Sequence, residues 1–142
     1  MPRSSNQKPK LLYLEKMFRE ESDEQHPLTV KDIISGLDKA GIKAERKAIY
    51  NDIELLREVM DMDICSDKVG SYYLGTDRFQ FEELQLLADA AACSKFITED
   101  KSRELVDKIS HLTSNYKARE LQRSVIVANR VKTENRKIYY NI

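Results

Sequence analysis

The chain has 142 residues, 41% apolar and 34% charged, and its 24 basic and 24 acidic side chains give a formal net charge of zero. That length suits one ordinary domain or two small ones. No apolar run approaches a bilayer span and no apolar segment follows the N-terminus, so neither a membrane association nor a secretory leader is expected. Zero net charge argues against a histone-like coat of nucleic acid but leaves room for a local basic face. The two cysteines, Cys65 and Cys93, are too few for a disulfide scaffold and are expected as buried thiols in a reducing compartment.

Residues 1–9 are polar, with two prolines, and are expected to form a disordered lead-in. Leu11, Leu14, Met17 and Phe18 then recur at helical spacing, predicting an amphipathic helix that ends in the polar stretch before Pro27. Thr29-Val30-Lys31-Asp32 fits a capping box, with Leu28 and Ile33 at the positions of a hydrophobic staple. Val30, Ile33, Ile34 and Leu37 form the stripe of that second helix, and Gly41 supplies a left-handed stop. A third helix is predicted over 44–60 after a very short turn, with Ile49, Ile53 and Leu56 inward. From Asp63 the period becomes strand-like: Ile64-Cys65-Ser66 and Ser71-Tyr72-Tyr73-Leu74 flank a glycine-bearing loop. Helix, helix, short turn, helix and hairpin make residues 10–75 a winged helix-turn-helix.

Residues 76–124 turn helical again. Leu84, Leu87, Ala88 and Ala91 are expected to line one helix; Thr98 caps a second, with Leu105, Val106, Ile109 and Leu112 as its stripe. A short helical turn is expected over 117–122, and residues 125–142 are strand-like. The fold class expected is mainly α.

If Ile49, Ile53 and Leu56 face the core, helical geometry turns Ala44, Lys47, Ala48, Asn51, Glu54 and Glu58 outward, with Tyr50 at the edge. The N-terminal residues of a recognition helix enter the major groove of double-stranded DNA. Lys47 there suits guanine or phosphate and Asn51 suits adenine. Lys43 and Arg46 flank the helix start, where phosphates favour the free amides, and Lys68 sits in the wing loop. Lysine and asparagine on a helix face are ordinarily solvated surface, as Lys68 is in an ordinary turn. The short turn and following hairpin are what favour DNA.

Catalysis is not expected. His26 and His111 have no partners at metal-ligand spacing, and no glycine-rich phosphate loop or nucleophile elbow is present, so neither a cofactor nor a metal is expected. The alternative to DNA binding is a winged helix used for protein contacts or dimerisation, a use that Glu45, Glu54 and Glu58 favour.

Gly41-Ile42, the run Arg46-Lys47-Ala48-Ile49-Tyr50-Asn51-Asp52-Ile53-Glu54-Leu55-Leu56-Arg57 and Gly70-Ser71-Tyr72-Tyr73-Leu74-Gly75 resemble the N-terminal region of WYL-domain transcriptional regulators with a DeoR-like winged helix. The resemblance continues through Ser94-Lys95-Phe96-Ile97-Thr98, Leu121-Gln122-Arg123, Asn129-Arg130-Val131-Lys132-Thr133 and Ile138-Tyr139-Tyr140-Asn141-Ile142. It implies a bacterial, cytoplasmic, homodimeric regulator in which 76–124 is a linker contributing to dimerisation and 125–142 begins a β-rich sensory domain. On that comparison the chain is expected to be a fragment that stops before its ligand-sensing residues, so the resemblance assigns no effector. Many such helices open with a serine cap and carry basic residues at the positions of Tyr50 and Asn51. The neutral pair here implies fewer phosphate contacts and a shallower salt dependence.

Charge by position sharpens this. Residues 1–75 hold 12 basic and 14 acidic groups, so DNA binding there depends on where a few cations sit. Residues 115–142 hold 7 basic and 2 acidic groups, a surplus that either assists DNA binding or belongs to the surface of the following domain, the second being favoured.

Overall fold

The structure is a computed structural model that describes residues 2–67 and 70–125, with side chains from residue 9 onward. It is mainly α: six helices and a small three-stranded antiparallel sheet among the described residues. The chain divides into two compact units, Met1–Asp77 and Arg78–Ile142.

In the first unit, helix α1 (Pro2–Glu21) starts well before Leu11, so the segment expected as a disordered lead-in is helical. Proline is tolerated in a first turn, where its missing amide has no partner anyway, whereas Pro9 lies inside the helix and has no amide to give to the ladder. Lys10 anchors the stretch: it is 3% exposed and pairs with Asp52, a long-range contact that local composition does not register. Leu14, Met17 and Phe18 are buried, as the periodicity predicts.

Strand β1 (Leu28–Thr29) leads into α2 (Val30–Lys39). The capping box is present: the Asp32 amide donates to Thr29 Oγ1 at 3.0 Å and the Thr29 amide to Asp32 Oδ2 at 3.1 Å. At the other end the Gly41 amide reaches Asp38 O and the Ile42 amide reaches Leu37 O, both at 2.9 Å. With Gly41 at φ +80°, this is a Schellman stop, and it delivers buried Ile42 back onto the core.

Helix α3 (Arg46–Met60) follows, two residues shorter at its start than expected because Ala44 and Glu45 are still outside the helix. Left-handed Asp61 closes it. Strands β2 (Ile64–Ser66) and β3 (Ser71–Leu74) pair antiparallel, with Cys65 opposite Tyr73 and Ser66 opposite Tyr72. The unforeseen β1 adds to the other edge of β3, Leu28 opposite Tyr72, so the strand order is β1-β3-β2. Buried Ser22 ties α1 to this sheet: its hydroxyl donates to Phe18 O at 2.6 Å and accepts from the Leu74 amide at 3.0 Å. One core of α1, α2, α3 and sheet residues holds the unit.

The second unit contains α4 (Phe81–Cys93), α5 (Glu99–Ser110) and α6 (Asn115–Ser124). Thr98 caps α5 as predicted, its Oγ1 accepting from the Lys101 amide at 3.2 Å, and Ser114 caps α6 likewise. The core is Leu84, Ala88, Ala91, Ala92, Val106, Leu121 and Val125. Two expected stripe members are misassigned: Leu87 is 42% exposed and Leu105 is 40% exposed, while Ala92 and Ser102 are buried. Apolar residues occupy more than one side of α4, so its inward face is chosen by packing against α5 and α6 rather than by periodicity. The turn expected over 117–122 is a ten-residue helix. The strand-like segment from residue 126 lies outside the described residues.

Neither cysteine is a fully buried thiol. Cys65 is half-buried at the edge of the sheet and Cys93 is exposed at the end of α4; both are free. Among the described residues no helix is long and apolar enough to cross a membrane.

Candidate nucleic-acid interface

The rotation of α3 about its axis is fixed by what it buries. Ile49 and Ile53 are 0% and 1% exposed, and full burial of such side chains stabilises by about 1.5–3 kcal/mol each. Asp52, beside the Ile49–Ile53 stripe in the helical projection, takes up the Lys10 ammonium at 3.0 Å. These contacts leave Lys47, Asn51, Glu54 and Glu58 exposed, as predicted, with Ala48 half-buried. Lys43 is exposed in the turn before α3, Arg46 is exposed as its first residue, and Tyr50 is half exposed at its edge. Lys68 lies outside the described residues.

Glu45, at the N-cap, makes no side-chain capping bond. The first amides of α3 therefore lack the internal acceptor that a serine or aspartate provides elsewhere. Lys43, Arg46 and Lys47 surround that end, concentrating positive potential there.

The acidic half of the helix is less repulsive than its sequence implies. Arg57 Nη1 donates to Glu54 Oε1 at 2.5 Å, so one of the two outward acids is paired. The same guanidinium sends Nε and Nη2 to Ile64 O at 2.9 and 2.7 Å, fastening α3 to the start of β2. Its Cζ lies 5.9 Å from the centre of the Tyr72 ring. The Tyr50 ring also meets Tyr72, with centroids 6.3 Å apart and planes inclined at 60°. Arg46 Nη1 donates to Tyr50 Oη, one helical turn farther along, at 3.3 Å. A continuous polar–aromatic chain thus runs from Arg46 through Tyr50 and Tyr72 to Arg57.

Arg57 and the bridging role of Tyr72 were not singled out from the sequence. Arg57 is seven residues beyond Tyr50, so helical spacing puts both on one side of α3, and strand alternation separates Tyr72 from Tyr73. The pairing of helix side with strand face is tertiary and has no local signal. The hairpin is held at its far end as well: Gly70 O accepts from the Val30 amide at 3.2 Å, linking it to the first turn of α2.

Among the described residues no group of three His, Cys, Asp or Glu side chains could hold a metal ion. His26 Nδ1 lies 2.8 Å from Asp23 Oδ1, within the turn after α1. Comparison with known proteins finds no family model, no curated protein and no solved structure that matches this chain.

Proposed function

We propose that residues 10–75 form a winged helix-turn-helix that binds double-stranded DNA sequence-specifically, within a non-catalytic transcriptional regulator. The observation that carries this reading is the outward half of α3. Lys43, Arg46, Lys47 and Asn51 are all exposed around an uncapped helix N-terminus, while Glu54 farther along is paired with Arg57. Such an end attracts phosphate and presents donors to base edges. Lys47 and Asn51 read bases in the major groove, Lys43 meets backbone phosphate, and Tyr50 lies toward the wing. Two copies pair through 76–124 and read half-sites a helical turn or a multiple of it apart. The resemblance to WYL-domain, DeoR-like regulators supports a bacterial, cytoplasmic protein of this kind.

A second reading, a winged helix that contacts protein instead of DNA, is favoured by Leu55, Val59 and Met60, which are 43%, 71% and 46% exposed at the other end of α3. The two are separated by a mobility shift on the DNA upstream of the gene at two salt concentrations, with wild type and the double variant Lys47→Ala/Asn51→Ala. DNA binding predicts a wild-type shift that weakens with salt and is lost in the variant. An unchanged shift in the variant would mean that α3 is not the reading helix. No wild-type shift at either salt would favour protein contact.

A further inference from the structure

Resting on the DNA-binding reading, we infer that Arg46 is a base-reading residue for guanine, held in place by the Tyr50 hydroxyl, and not one of the interchangeable phosphate clamps. A phosphate contact needs only a positive charge within reach and tolerates a mobile side chain. Guanine is read by a planar fork aimed at O6 and N7, and that demands a fixed guanidinium.

The structure supplies the fixing. Arg46 opens α3, at the end of the helix that enters a groove first, and is exposed. Its Nη1 donates to Tyr50 Oη at 3.3 Å, which engages one N–H and leaves the other four for a bidentate contact. Tyr50 is itself located by the Tyr72 ring 6.3 Å away. Tyr72 belongs to the central strand β3, and Arg57, doubly bonded to Ile64 O, stands over its ring at 5.9 Å. The tyrosine acceptor is therefore held from the sheet as well as from the helix, and the guanidinium that leans on it loses less freedom on binding. Lys43, exposed in the turn before α3, has no comparable hydrogen bond among the described residues and suits the looser phosphate role.

The test is selection of duplexes from a random pool by the full chain, comparing wild type, Arg46→Ala and Tyr50→Phe. Tyr50→Phe keeps the ring against Tyr72 and removes only the acceptor, and unchanged thermal melting would confirm that its fold is intact. Wild type is expected to enrich a motif with a G·C pair at one position. Both variants should lose about tenfold of the discrimination at that same position while keeping the rest of the motif. The inference is overturned if Arg46→Ala weakens all sequences alike, or if Tyr50→Phe leaves the G·C preference at its wild-type strength. Enrichment of no motif by wild type is a different result, and it would remove the DNA-binding reading along with this refinement.

Discussion

Lys10 Nζ lies 3.0 Å from Asp52 Oδ2, with side chains only 4% and 10% exposed, and this pair joins the first helix to the one proposed to read DNA. Asp52 Oδ2 has no hydrogen-bond partner of good geometry among the described residues, so the ammonium satisfies it by charge and proximity alone. Asp52 is also the residue after Asn51, and its inward pull helps to keep Asn51 outward.

Removing one member should therefore cost more than removing both. Lys10→Met strands a buried carboxylate and is expected to destabilise by about 3 kcal/mol, within the usual range for breaking a buried pair. Lys10→Met combined with Asp52→Leu exchanges the pair for apolar contact and should recover most of that loss. Urea unfolding of the two single variants and the double variant measures the coupling. Simple additivity would show that the pair is not a unit.

Two glycines should fail for different reasons when replaced by alanine. At Gly41 an added Cβ meets nothing within 4 Å, so the cost is conformational and comes from φ +80°. Gly41→Ala should cost about 1–2 kcal/mol, and Gly41→Asn less, because asparagine tolerates the left-handed region. At Gly75 the φ is unexceptional, but a Cβ would stand 2.5 Å from Asp63 Oδ2, the atom that accepts from the Thr76 amide at 3.1 Å. Gly75→Ala should also destabilise, by about 1–3 kcal/mol, and asparagine should give no relief there. Equal tolerance of asparagine at both positions, in thermal melts, would contradict this division.

Sequence legibility follows the same split between local and distant causes. The Thr29 capping box, the Gly41 stop and the inward stripe of α3 are written within a few residues of where they act, and each is found as expected. Lys10 looks like part of a polar lead-in until Asp52, remote in sequence, is placed beside it. Leu28 and Thr29 read as the prelude to a helix, and only the edge of β3 makes them a strand. On α4 the apolar residues go round the helix, so its neighbours decide that Ala92 is buried and Leu87 is not. The candidate interface divides likewise: its exposed face is legible from helical arithmetic, and the Tyr50–Tyr72–Arg57 support is not.

The Cys65 thiol is held above its ordinary pKa, first by burial and then by the neighbouring Asp63 carboxylate. Only the thiolate is nucleophilic, so Cys65 should alkylate with iodoacetamide more slowly at mildly alkaline pH than an unperturbed thiol. Asp63→Asn removes the smaller cause and should speed the reaction only modestly. For stability the sign is unfavourable at high pH. Above the ordinary thiol range the unfolded chain has released this proton while the folded chain retains it, so folding weakens as pH rises there and is unaffected at neutrality. Site-resolved mass spectrometry across pH gives the rates. Alkylation of Cys65 as fast as that of the same peptide in urea would show that the folded site does not suppress the thiolate.

Leu86 bears on the proposed pairing of two copies. It is 71% exposed on α4, with Leu87 42% exposed beside it, and Ala90 and Cys93 are exposed one and two turns farther along. A leucine so exposed contributes little to the folding of its own unit, and Leu86→Glu should change unfolding free energy by only about 0.5 kcal/mol. If this face meets a second copy, the same substitution buries a carboxylate without a partner, and self-association should weaken at least tenfold, as for a desolvated charge at an interface centre. Sedimentation equilibrium on wild type and Leu86→Glu separates the two effects. Identical association of both would move the contact away from α4, and a monomeric wild type would remove the homodimer from the proposal.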